Sequence, residues 1–201
     1  MKTIKKIACS VLALGLVMGL TACAPKTFEH QKLVDFLEDQ DLDDVDDSDD
    51  FLRNYSDVIG MSRNIDGIYI HCDGRDAQEM YDKVLNRFGD FPDYDVEETV
   101  TFVLHDDEGI GIGYLFTFED GEEAQKLFKK YGKAFADDGE KGEEKTYSYY
   151  IEAGDSAADK DMYTGVYLRG NTVLIIKTMG LDSDFVDDFC EVYGVISPTE
   201  L

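Results

Sequence analysis

Two apolar runs, Tyr163–Arg169 and Thr172–Met179, meet at Gly170-Asn171 and constrain this chain more than any other feature in it. A two-residue loop of that composition adopts a primed turn, whose twist matches the strands on either side. Arg169 then faces Thr172, Leu168 faces Val173, Tyr167 faces Leu174 and Val166 faces Ile175. Leu168, Val173, Val166 and Ile175 line one face of the hairpin, and Tyr163, Tyr167, Leu174 and Ile176 line the other. Both faces are apolar. An antiparallel sheet with one wet side alternates apolar and polar residues instead, so both sides of this hairpin need a cover. The second cover is expected to be internal, from the helix bearing Leu33, Phe36 and Leu37 or from the segment Phe51–Ile59. The functional alternative is an exposed groove for a protein or peptide partner, rimmed by Tyr163, Tyr167 and Arg169, since aromatic residues and arginine suit interface anchors.

The rest of the chain supplies partners for that hairpin. Ile68–Cys72, Thr99–His105, Ile110–Phe118 and Tyr147–Glu152 alternate as strands. Between them lie three helices with similar ends. Asp76 with Glu79 opens the first, Asp120 with Glu123 the second, and Asp182 or Ser183 the third, each placing acid where orphan amides need acceptors. Each closes on an aromatic followed by glycine: Phe88-Gly89, Tyr131-Gly132 and Tyr193-Gly194. The order predicts an α+β fold with one mostly antiparallel sheet of five to six strands and helices mainly on one face. Residues 67–152 follow a ferredoxin-like βαββαβ plan, with a C-terminal ββα added. Residues 51–66 give no clean period and read as a turn-rich connection, and the loop Asp137–Lys145 reads as mobile.

Composition and the N-terminus bear on where such a domain works. Among 201 residues there are 44 acidic and 19 basic side chains, a net charge of −25. Nucleic acid is excluded as a partner, because phosphate binding is driven by clustered Lys and Arg. Lys2, Lys5 and Lys6 precede an apolar run from Ile7 to Leu20, too short to span a bilayer but laid out as a secretory signal. The exit reads Leu20-Thr21-Ala22-Cys23, which resembles the lipobox of bacterial lipoproteins. That resemblance, confined to residues 1–23, implies that the Cys23 thiol receives a diacylglyceryl group and that the chain is cleaved just before it. Residues 1–22 are then a signal peptide, residues 23–66 a lipid-anchored N-terminal helix, acidic run and connection, and residues 67–201 the α+β domain. Two acyl chains suffice for stable anchoring at a membrane that the protein's own charge opposes.

The search for chemistry is largely negative. There is no nucleophile elbow, zinc-protease motif, P-loop or Cys-x-x-Cys pair. Gly109-Ile110-Gly111-Ile112-Gly113 leads into a strand and reads as small-residue packing instead of a phosphate cradle. His71 follows strand alternation away from its neighbour Cys72 and cannot serve it as a base. With Cys9 leaving with the signal and Cys23 committed to lipid, Cys72 and Cys190 remain, both inward-facing and expected to be reduced, with a disulfide as the alternative. From Glu38 to Asp50 nine of thirteen residues are acidic, and the first helix is expected to end near Asp41. Within this run Asp39, Asp41, Asp43 and Asp50 fall at EF-hand positions 1, 3, 5 and 12, but the turn glycine and the bidentate Glu are missing. Weak Ca²⁺ binding is the most that spacing supports, and no other cofactor is expected. The reading is an extracytoplasmic lipoprotein that binds a protein or peptide without catalysis, with an unrecognised envelope enzyme as the other class.

Overall fold

The computed structural model describes residues 27–59, 67–85, 94–105, 109–155 and 160–201. Cys23, the signal and Phe88-Gly89 lie outside the described residues. In chain order the elements are α1 (His30–Asp39), β1 (Asp43–Asp44), α2 (Ser48–Ile59), β2 (Ile68–Asp73), α3 (Gly74–Leu85), β3 (Val96–His105) and β4 (Ile110–Phe118). They continue with α4 (Gly121–Phe135), β5 (Glu140–Glu143), β6 (Ser148–Asp155), β7 (Asp161–Arg169), β8 (Thr172–Met179) and α5 (Ser183–Tyr193), then a 3₁₀ turn at Pro198–Glu200.

The strands form one eight-stranded sheet in the order β1-β2-β3-β4-β8-β7-β6-β5. Among the described strands only β1 and β2 run parallel. The α+β class therefore stands, but the sheet is larger than expected. The ferredoxin-like plan does not hold, because β2 pairs directly and antiparallel with β3 across α3. A split βαβ unit would place a third strand between two parallel ones. The hairpin at Gly170-Asn171 has the register its loop dictates, from Arg169↔Thr172 to Val166↔Ile175.

Helices cover both faces instead of mainly one. On the first, Phe51 and Tyr55 of α2, Met80 and Val84 of α3 and Leu127 of α4 share a core with Val166, Val173 and Ile175. On the second, Leu33, Phe36 and Leu37 of α1 and Phe189 and Tyr193 of α5 pack over Tyr167, Leu174 and Ile176. The two-sided hairpin explains this arrangement. Burying an aromatic or branched aliphatic side chain is worth about 1.5–3 kcal/mol, and both faces of β7 and β8 offer several.

Acidic residues set several boundaries. Asp120 Oδ1 accepts the amides of Glu122 at 2.6 Å and Glu123 at 3.0 Å, and the Asp182 carboxylate accepts that of Asp184 at 3.1 Å. The run that ends α1 at Asp39 also starts α2, whose Asp50 amide bonds Asp47 Oδ1 at 2.9 Å. Of the segment 51–66 read as a turn-rich connection, the described part up to Ile59 is helical, with Phe51, Leu52 and Tyr55 on its buried side, and residues 60–66 lie outside the described residues. This helix belongs with the rest of the domain, as does Phe28, whose amide donates to Thr172 Oγ1 at 2.9 Å. Asp137–Lys145 contains β5, paired antiparallel with β6.

Two glycines read as helix stops behave differently. Gly194 takes the left-handed conformation (φ 59°) that ends α5. Gly132 is inside α4, which runs on to Phe135. A Cβ there would lie 2.4 Å from the Tyr150 ring, so this glycine lets the helix lie against β6.

Candidate functional site

The residues expected to rim an exposed groove do not form one. Tyr167 is fully buried, and its hydroxyl donates to the Ile196 carbonyl at 2.7 Å. Burial pushes its phenol well above the ordinary range. Arg169 is 6 % exposed, donates from Nη2 to the Tyr193 carbonyl at 3.1 Å and lies 4.3 Å over the Phe28 ring. Tyr163 is half-buried. The correction has a direct cause: α1 and α5 need an apolar surface, and this side of the hairpin is the one available.

The four aspartates of the EF-hand-like spacing are spread over several elements. Asp39 ends α1, Asp41 stands in the turn with φ 58°, Asp43 is in β1 and Asp50 is in the first turn of α2. Among the described residues no group of three or more His, Cys, Asp or Glu side chains is arranged to hold a metal ion. The two thiols are free and buried, Cys72 in the first core and Cys190 in the second, so the sheet separates them. Burial pushes each up to about 11, far from thiolate reactivity. His105 pairs with Ile110 at one end of β3, whereas Cys72 pairs with Thr99, six residues away along that strand.

Two constellations that the sequence reading missed carry more chemistry. In the first, His30 from α1 and His71 from β2 converge on Glu98 of β3. His30 Nδ1 is 3.3 Å from Glu98 Oε2, and His71 Nε2 is 2.8 Å from Oε1. The two rings stack with centroids 5.8 Å apart and planes 4° from parallel. Burial lowers the His30 pKa from the ordinary 6.5; Glu98 opposes that shift and His71 adds to it. Folding therefore favours neutral His30. The unfolded chain takes up its proton first, so this contribution is complete above pH 6.5 and is lost as pH falls from there to the folded-state value. We expect the urea midpoint to drop between pH 7.5 and pH 5.5, and His30→Gln to flatten that drop. Identical pH profiles for the two proteins would show that His30 is not the linked group.

The second constellation is a pocket of about 390 Å³ where the C-terminal end of α4 overhangs the sheet. Three neighbouring strands supply one row of its side chains, Lys177 from β8, Thr164 from β7 and Glu152 from β6, because Thr164 pairs with both of the others. Lys133, Phe135, Asp137 and Asp138 descend from α4 and its exit, and Asp155 and Met162 close the side. Lys177 Nζ stands 4.5 Å over the Phe135 ring. Burial lowers the Lys177 pKa, and Glu152, acting at longer range, raises it. The signal was visible in β8: Lys177 follows Val173 and Ile175 in phase, a cation at a core-facing position. The pocket is polar, partly enclosed and of a size that suits a small solute.

Comparison with known proteins adds little. No family model and no curated protein matches the chain. Among solved structures, the extracellular domain of PknH from Mycobacterium tuberculosis resembles 70% of this chain over 89% of its own length, at 8% identity and a TM-score of 0.40. A resemblance of that size carries no argument about function. No helix among the described residues is long and apolar enough to cross a membrane.

Proposed function

We propose that this protein is an extracytoplasmic lipoprotein, held at a membrane through lipid on Cys23, whose domain binds a small polar solute without acting on it chemically. The observation that carries the binding half is the pocket over Lys177, where a half-buried ammonium, a buried hydroxyl and several carboxylates converge. Of the rim Tyr163, Tyr167 and Arg169, the two residues Tyr167 and Arg169 are spent on internal packing, and Tyr163 is half-buried. Binding of a protein or peptide then runs through chain ends or side chains small enough to enter the pocket.

The anchor rests on Lys2, Lys5, Lys6, the apolar run and Leu20-Thr21-Ala22-Cys23. Phe28, the first buried residue of the domain, follows Cys23 by five residues, a span of at most about 18 Å. The lipid would therefore keep the domain close to the bilayer surface, tethered beside the Arg169–Thr172 end of the hairpin.

Fractionation tests the anchor. Cys23→Ala should leave the membrane pool, appearing in the soluble fraction or remaining uncleaved. A detergent-requiring pool unchanged by that substitution would remove the lipoprotein reading. The binding half is tested by titrating a library of small polar solutes against the protein with ¹³C-labelled methionine methyls. The Met162 signal should move for a subset of compounds and stay still in Lys177→Met. A Met162 methyl that moves for none of them would remove the solute-binding reading.

A further inference from the structure

The charge layout of the pocket restricts what can enter it. Thr164 is buried and Lys177 half-buried, so they form the floor, whereas Asp137, Asp138 and Asp155 are exposed and stand at the mouth with the exposed Lys133, which offsets one of the three acids and leaves the mouth net acidic. Glu152, half-buried, stands between. A ligand carrying only negative charge would meet this acidic mouth and the field of a chain with net charge −25 before reaching Lys177. A ligand carrying only positive charge would be drawn to the mouth but would meet a desolvated ammonium at the floor. Leaving that ammonium unmatched beneath a bound ligand is costly, since a charge removed from water needs a partner. Within the pocket the close contact of Lys177 is the Phe135 ring, which is attractive but far weaker than a carboxylate.

We infer that the pocket selects a zwitterion, a solute of the amino-acid or short-peptide class with an ammonium group separated from a carboxylate. The carboxylate accepts hydrogen bonds from Lys177 and Thr164 at the floor. The ammonium donates to Asp137, Asp138 or Asp155 at the mouth. Phe135 and Met162 flank the methylenes between them. This inference rests on the solute-binding reading and narrows it to one class of ligand.

The test uses the full chain in detergent micelles with ¹³C-methyl methionine, titrated with ω-amino acids of increasing length. The matching n-alkylamines and n-alkyl carboxylates serve as the two halves. The expected result is movement of Met162 with an optimum chain length, and affinity about tenfold or more above that of either half. Lys177→Met, which keeps the apolar stem, should lose at least about tenfold for the zwitterions while its melting temperature stays the same or rises. Amines binding as tightly as ω-amino acids would overturn the inference while leaving the pocket a binding site. So would zwitterion affinity unchanged in Lys177→Met. If no member of the series moves Met162, the inference falls, and the wider solute library alone decides the parent reading.

Discussion

Tyr167→Ala is expected to destabilise the domain by about 3–5 kcal/mol, the range for a deleted core aromatic. In a chain of this size each kcal/mol moves the melting temperature by roughly 2–4 °C, so the loss should be plain in a single thermal scan. The expectation follows from position. Tyr167 lies fully buried at the centre of the second core, beneath α5, with its hydroxyl bonded to Ile196 O at 2.7 Å and 3.5 Å from Cys190 Sγ. Its ring also covers the bare backbone of Gly165, where a Cβ would fall 2.5 Å from the phenolic oxygen. Tyr167→Phe separates the contributions. It keeps the ring but leaves the Ile196 carbonyl without this donor, a cost of about 1–3 kcal/mol. A loss below about 1.5 kcal/mol for the alanine variant in urea denaturation would place the ring at a surface and restore the groove.

What could be read from the sequence depended on how local its cause was. Ile110–Phe118 and Thr172–Met179 match their strands to the residue, because alternation and a primed turn act within a few positions. The need for two covers was also legible in the hairpin, although the side taken by α5 was not. Strands β1 and β5 read Asp-Asp and Glu-Lys-Gly-Glu, with no apolar alternation to announce them. They exist because neighbouring strands offer unpaired edges. Helix α2 was hidden by the acids before it, which carry no apolar period of their own but serve as its cap. The pocket needed three kinds of knowledge at once. Lys177 was visible as a phase-breaking cation, Thr164 and Glu152 required the pairing of three strands, and the overhang required α4 to continue past Gly132.

The glycines of Gly109–Gly113 lead to the second large effect. Gly113 pairs with Phe102 on one side and Ile176 on the other. A Cβ at Gly113 would lie 2.1 Å from Phe102 Cε1 and 3.0 Å from the Ile175 carbonyl. The Phe102 ring therefore lies across bare backbone, and from there it reaches Phe185 and Phe189 of α5 at 6.3 and 6.0 Å. Gly111 makes similar room for Leu181, whose Cδ1 would be 2.6 Å from a new Cβ. These glycines are spacers: Gly113 lets the Phe102 ring fill the second core, and Gly111 leaves room for the buried Leu181. Gly113→Val should cost about 3 kcal/mol, the upper end for overpacking, even though valine favours strands and glycine weakens them. Phe102→Ala should be costly on its own, yet in its presence Gly113→Val should cost far less, because the valine then occupies the emptied space and only the close approach to the Ile175 carbonyl remains. The resulting coupling, on the order of 2–3 kcal/mol, is what a shared volume predicts. Simple additivity of the two substitutions would mean that the glycine is required for something other than the ring above it.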